Sequence, residues 1–337
     1  MENHSLFPAI LGVGNALVDI MVALPGDETL HQFGLRRGSM TLVDAKLSWK
    51  IYQATHAWQK SVTTGGSAAN TIHTLASLGA RCGYAGKIGD DELGENFAKE
   101  FTGKGITTHL SLSDSGTGRV MALVSPDSER TMATCLGAAE ELLPEEFTAG
   151  MMNPYSYLYV EGYLVQDHRL IESILRTGQE AGLEVVIDLS SYNVVEQNRD
   201  FLEHLITHYV DIVFANEEEA YAFTGLQPEE AVKRIASLCD IAIVKTGKNG
   251  SLVAGGDEML AIDPVQAHAI DTTGAGDSYS AGFLFGLSRG LTLRQCGDIA
   301  SLVAAKTVEF MGAKIAGEEW PGLLRKVEEI CGTSVKR

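Results

Sequence analysis

From about residue 155 onward, short apolar runs alternate with longer stretches whose apolar positions recur at helical spacing. The runs at 157–160, 184–188, 211–215 and 241–245 predict strands. Each closes on a polar residue or glycine: Glu161-Gly162, Asp188, Asn216 and Thr246-Gly247. Strands separated by helices argue for a parallel sheet covered on both faces. In such sheets ligands bind beyond the carboxyl ends of the strands, which puts those closing residues on the functional edge. Residues 251–254 and 258–262, joined through Gly255-Gly256-Asp257, predict a hairpin. The first 135 residues are less regular, with a helical stretch at about 68–78 between β-rich segments near 17–45 and 106–135.

Composition narrows this picture a little. A chain of 337 residues that is 45% hydrophobic can bury one large α/β core or two modest ones. No internal repeat, low-complexity tract or linker run is present. The net charge of -18 argues against nucleic acid as a partner. Cys82, Cys135, Cys239, Cys296 and Cys331 are odd in number, far apart and free of any C-x-x-C, so neither a disulfide framework nor a zinc site is expected, and a reducing cytoplasm fits. The apolar stretch 7–24 lacks a basic leader and carries Asn15 and Asp19, and no run of 18 apolar residues occurs, which argues against a signal peptide and a membrane span.

The candidate chemistry is concentrated at residues 271–286, where Asp-Thr-Thr-Gly-Ala-Gly-Asp leads into an amphipathic helix. Gly274, Ala275 and Gly276 carry little or no side chain, so their N–H groups can converge on an anion where the helix dipole also favours negative charge. Asp277 then sits beside that anion, and the task open to a carboxylate there is to accept a proton from an attacking hydroxyl. Taken as residue types alone, the same segment is also a helix cap. Two other nucleotide folds drop out: there is no G-x-x-x-x-G-K-[ST], and Gly12-Val13-Gly14 is followed by Leu17 where a dinucleotide fingerprint needs glycine.

Residues 271–286 resemble the second signature of the PfkB, or ribokinase-like, family of carbohydrate and nucleoside kinases. Gly65-Gly66-Ser67-Ala68-Ala69-Asn70 is similar to that family's first signature, and the segment from Ile88 to Gly94 to its Gly-x-Asp-x-x-Gly element. Asn216-Glu217-Glu218-Glu219 matches its Asn-x-x-Glu, and Lys245-Thr246-Gly247 with Gly250 resembles its nucleotide-side turn. The stretch from Gly12 to Ile20 resembles the opening of the adenosine-kinase-like branch, and the order of motifs holds from about residue 10 to 315. The resemblance implies an α/β ribokinase-like fold: a central, mostly parallel sheet flanked by helices on both faces, with a small β-sheet lid. It implies one kinase domain over 1–330, the lid being discontinuous and built from about 17–45 and 106–135.

It also implies roles. Asn15 and Asp19 hold the sugar, and an ionised carboxylate suits a vicinal diol because it accepts two hydrogen bonds. Gly65 and Gly66 allow close backbone approach, Asn70 adds an amide, and Tyr163 lies near the substrate base or packs in the core. Asn216 and Glu219 organise Mg2+, often through water. Lys245, Thr246, Gly247 and Gly250 lie under the ribose and phosphates of ATP, and residues 265–270 border the adenine. Asp271 and Thr273 resemble positions that bind a monovalent cation such as K+ through backbone carbonyls. Arg130 lies where related kinases bring a basic group toward the transferred phosphate, or is simply solvated. The expected activity is transfer of the γ-phosphoryl group of ATP to the 5′-hydroxyl of a ribonucleoside, adenosine to AMP in purine salvage, by a monomer or homodimer. A ribokinase- or fructokinase-type sugar kinase is the alternative within the fold, and an inactive sugar- or nucleoside-binding regulator is the alternative outside catalysis.

Overall fold

The computed structural model describes residues 7–332 apart from Ser128, so residues 1–6 of the expected 1–330 span lie outside the described residues. Its strands are β1 Ile10–Val13, β2 Leu17–Ala23, β3 Met40–Leu42, β4 Gln59–Gly65, β5 Cys82–Gly89, β6 Thr107–Ser113, β7 Gly118–Val124, β8 Arg130–Cys135, β9 Tyr157–Glu161, β10 Glu184–Asp188, β11 Ile212–Asn216, β12 Ile241–Lys245, β13 Ser251–Gly255 and β14 Glu258–Ile262. Nine of them form one sheet in the order β14-β13-β12-β11-β10-β9-β1-β5-β6. Pairing is parallel from β6 to β12, and β13 and β14 continue it as the expected antiparallel hairpin.

The central strands are apolar on both sides because both sides are covered. Ile10, Tyr159, Val186 and Phe214 point into one core with the helices Ser67–Ser77, Ala275–Ser288 and Leu293–Thr307. Leu11, Leu158, Val185 and Val213, one position along, point into the other with the helices His168–Glu180 and Tyr192–Tyr209. This is the two-residue period of a strand turned into two hydrophobic layers. Register then lines up the polar closing residues, since Glu161 pairs with Asp188 and Asn216 with Lys245.

The second sheet has five strands in the order β3-β8-β7-β2-β4. Its make-up departs from expectation in two places. Thr107–Ser113, expected in the lid, pairs with β5 at the edge of the large sheet instead. Gln59–Gly65, outside both expected segments, is the antiparallel partner of β2. That strand is mostly polar and exposed until Thr64 and Gly65, so it offers no apolar alternation to read.

Candidate active site

Asp277 stands in the first turn of the helix Ala275–Ser288, which begins after Gly274 in the left-handed region (φ 74°). Only glycine fits there: the conformation is unfavourable for other residues, and a β-carbon would fall 2.4 Å from that of Ala313. Among the described residues the amides of Gly274, Gly276 and Asp277 make no hydrogen bond within the protein, whereas that of Ala275 donates to the Thr272 carbonyl at 3.2 Å. Gly274, Gly276 and Asp277 therefore present free amides at this turn, while that of Ala275 is engaged within it. Asp277 is held from the helix Ser67–Ser77: the Ser67 hydroxyl donates to Oδ1 at 2.7 Å and Asn70 Nδ2 to Oδ2 at 3.0 Å. Burial pushes its carboxyl up to about 6, with those two bonds pulling the other way, Asp188 adding to the rise and Lys245 opposing it.

Lys245 closes β12 beside this turn, its Nζ 3.3 Å from where a β-carbon on Gly276 would be. It donates to Asp188 Oδ2 at 2.8 Å, where Ser280 Oγ also donates at 3.0 Å. Burial works against the ammonium, but Asp188, Glu219 and then Asp277 outweigh it and raise its pKa. Ser190, in the left-handed region at φ 64°, donates its N–H to Asp188 Oδ1 at 3.0 Å. A non-glycine residue held this way costs energy that the neighbouring bonds must offset. Asn216 and Glu219 form a reciprocal cap: Glu219 accepts from the Asn216 N–H at 2.8 Å and from its Nδ2 at 2.7 Å, and Asn216 Oδ1 accepts the Glu219 N–H at 2.8 Å. Burial, then Asp188, pushes Glu219 up to about 7 against the pull of Lys245.

On the acceptor side, Asp19 faces Gly65, whose absent β-carbon would fall 2.5 Å from the carboxylate. Among the described residues no hydrogen bond or ion pair reaches the Asp19 carboxylate, and burial pushes it up to about 6 against the pull of Lys314 and Arg130. Lys314 itself donates to Thr64 Oγ1 at 2.6 Å and pairs with Glu100. A cleft of about 1410 Å3 joins these parts. Asn15, Asp19, Gly66, Asn70 and Tyr163 line it, as do Asn216, Glu219, Lys245, Gly247 and Gly250, and Ala275, Gly276 and Asp277. Gly65, Thr246, Asp271, Thr273 and Gly274 are not among its lining residues.

Arg130, at the start of β8, is only partly exposed and carries an ion pair. It pairs with Asp271 at 2.6 Å and also bonds Thr273 Oγ1, so the small sheet is tied to the segment leading into the anion turn. The Asp271 carboxylate is fully used, accepting also from the Thr273 N–H at 3.1 Å and Oγ1 at 2.8 Å and from the Gly312 N–H at 2.5 Å. Residues that sequence reasoning had not given a role are Ser67, Asp188, Glu161, Ser280 and Lys314. Ser67 and Ser280 lay inside matched motifs and Asp188 and Glu161 at strand ends; Lys314 had no signal.

A carboxylate positioned to take a proton beside free amides and a lysine, at the carboxyl edge of an α/β sheet and under a second sheet, defines a phosphotransferase with an alcohol acceptor. Residues 44–320 match the pattern of the pfkB family carbohydrate kinases, and the chain belongs to that family. The crystal structure of adenosine kinase from Sinorhizobium meliloti is 33% identical with a TM-score of 0.84, covering 95% of this chain and 99% of that one. A "probable sugar kinase protein" from Rhizobium etli CFN 42 is 32% identical with a TM-score of 0.85, covering 96% and 98%. Adenosine kinase of Saccharomyces cerevisiae is 26% identical over 91% of this chain and 96% of its own length. The family implies ATP as cosubstrate, with Mg2+. No helix among the described residues is long and apolar enough to cross a membrane.

Proposed function

We propose that the chain transfers the γ-phosphoryl group of ATP to the 5′-hydroxyl of a ribonucleoside, adenosine foremost, giving AMP. The observation that carries this reading is Asp19, a partly buried carboxylate lining the cleft without a partner among the described residues. Two vicinal ribose hydroxyls supply the two donors it lacks. Met40, Leu42, Val120 and Met132 of the small sheet line the cleft too, an apolar wall suited to a flat base and of no use to a free sugar.

In the transfer, Asp277 takes the proton of the acceptor hydroxyl as its oxygen bonds to the γ-phosphorus, and the bond to the ADP oxygen breaks with its electron pair leaving on ADP. Ser67 and Asn70 hold the carboxylate and leave lone pairs for the acceptor. The amides of Gly274 and Gly276, with the helix dipole and Lys245, stabilise charge on the phosphoryl oxygens. Glu219, Asn216 and Asp188 are the oxygen-bearing side chains that would hold a divalent cation bound with ATP, which would supply charge neutralisation at the phosphates. A monovalent cation would fall to the main-chain carbonyls of Asp271 and Thr273, because the Asp271 carboxylate is taken. Closure of the small sheet over the acceptor excludes water.

The test is an ADP-release assay across adenosine, other nucleosides, ribose and fructose at fixed Mg-ATP. Adenosine should give the highest kcat/KM. Robust turnover of fructose with none of adenosine would transfer the reading to a sugar kinase, and ADP release independent of any acceptor would point to a hydrolase.

A further inference from the structure

Glu161 closes β9 with 1% of its surface exposed, and the transfer chemistry above makes no use of it. Its surroundings are nevertheless built around its carboxylate. The helix Ser67–Ser77 starts after Gly66, which has no side chain to cap the free amides of the first turn and no room for one, since a β-carbon would fall 2.1 Å from the Asn15 carbonyl oxygen. Glu161 supplies the missing cap from another element, Oε2 accepting the Ala68 N–H at 2.9 Å. Its Oε1 accepts from the Asn15 N–H at 2.9 Å and from Asn15 Nδ2 at 2.6 Å. All three partners are donors, so the site is made for a carboxylate and not for a carboxylic acid. Gly14 makes the approach feasible: a β-carbon there would fall 2.3 Å from Oε2.

We infer that Glu161 is a positioning residue for the phosphoryl transfer: it fixes the helix turn from which Ser67 and Asn70 hold Asp277, and in the same grip fixes Asn15 on the acceptor side. The inference rests on Asp277 as the proton acceptor. Its charge bears on Asp277 as well as its bonds. Around the two carboxylates stand Asp188 from β10, Lys245 from β12, Glu219 from the helix Glu217–Thr224, and the hydroxyls of Tyr84 from β5, Tyr159 from β9 and Tyr163 just after β9. Burial raises Glu161, its N–H donors oppose the rise, and Asp277 adds to it, so the two carboxylates disfavour each other's charge.

Glu161→Gln keeps the shape but must turn an amide NH2 toward one of the donors. Turnover of the best acceptor should fall roughly ten- to a hundred-fold, the scale of a small misplacement of reacting groups. KM for Mg-ATP should stay within about twofold, because the nucleotide-side residues are untouched. The acid limb of the kcat/KM profile should move to lower pH, because a neutral side chain no longer disfavours the charged form of Asp277. Wild-type kcat would overturn the inference, and so would a fall in kcat with the acid limb unmoved, the mark of plain structural damage. If Glu161→Gln shows no cooperative melting, Glu161→Asp decides: the charge stays while the carboxylate draws back by about 1.5 Å, so kcat should fall with the limb in place, and wild-type kcat overturns the inference. Asp277→Asn run alongside separates the two levels. If it turns over at the wild-type rate, the proton-acceptor reading fails and the positioning role with it; if it is inactive while Glu161→Gln is normal, the positioning role alone fails.

Discussion

Replacing Asp277 by Asn separates what its carboxylate does in catalysis from what it does to the fold. The amide fits the same space. Ser67 Oγ, 2.7 Å from Oδ1, accepts a hydrogen bond as readily as it donates one, and Asn70 Nδ2, 3.0 Å from Oδ2, needs only an oxygen opposite it. The new side chain therefore sits with its oxygen toward Asn70 and its NH2 toward Ser67, and only the proton acceptor is lost. Turnover should fall by about 10^2 to 10^4, or roughly 3–5 kcal/mol on the barrier. Stability should move the other way. Burial pushes this carboxyl from 3.8 to about 6, a shift of about two units and so at most about 3 kcal/mol. Because the side chain keeps some contact with solvent, about 1–2 kcal/mol is the expected size. The folded-state pKa lies above the unfolded one, so the folded chain gains stability as pH falls from about 6 toward 4 and carries the full destabilisation above that window. At pH about 7.5 the Asn variant should melt a few degrees higher than the wild type, and near pH 4 the difference should vanish. ADP-release kinetics and calorimetry at the two pH values measure both effects. A kcat within tenfold of wild type would remove Asp277 as the base, and a lower Tm at the higher pH would refute the buried-charge argument.

Asp19→Ala should raise KM for adenosine steeply, since each hydrogen bond to a charged group contributes roughly 1.5–3 kcal/mol, or about ten- to more than a hundred-fold apiece; comparable wild-type kcat/KM for adenosine and 2′-deoxyadenosine would sink the diol contact. Lys245→Met leaves Asp188 without its buried partner and should destabilise the fold by about 3–5 kcal/mol while weakening ATP binding; an unchanged Tm and KM for Mg-ATP would show that the pair holds neither. Adenosine should slow hydrogen exchange across β2, β3, β7 and β8, and Arg130→Ala should speed exchange in β8 and in residues 271–274 of the ligand-free chain; uptake that ignores both changes would uncouple the small sheet from the anion turn.

The large sheet was legible wherever apolar strands alternate with helices, and Glu184–Asp188 and Ile241–Lys245 lie where the pattern puts them. Local chemistry also carried the anion turn, because glycine followed by an acidic residue at a helix start has few physical uses. What stayed hidden depends on partners distant in the chain. Thr107–Ser113 has β character in either sheet, and only the register against β5 decides which it joins. Glu161 and Asp188 were visible as polar strand ends, yet nothing local says that one would cap a helix beginning at Ser67 and the other would anchor Lys245. Arg130 shows the same limit: nothing in its neighbouring sequence names a partner, and Asp271 lies 141 positions further on.

The bonds that hold Asp277 span 210 and 207 positions of chain, and the grip of Glu161 on Asn15 spans 146. Closing loops of that length adds entropy only logarithmically, but contacts so far apart form late and slowly. A chain emerging from the ribosome thus presents Asn15, Ser67 and Asn70 well before Asp277 exists beside them. With Asp277 as the proton acceptor, partial products of synthesis should be catalytically silent, and on refolding the return of turnover should mark the docking of the helix Ala275–Ser288.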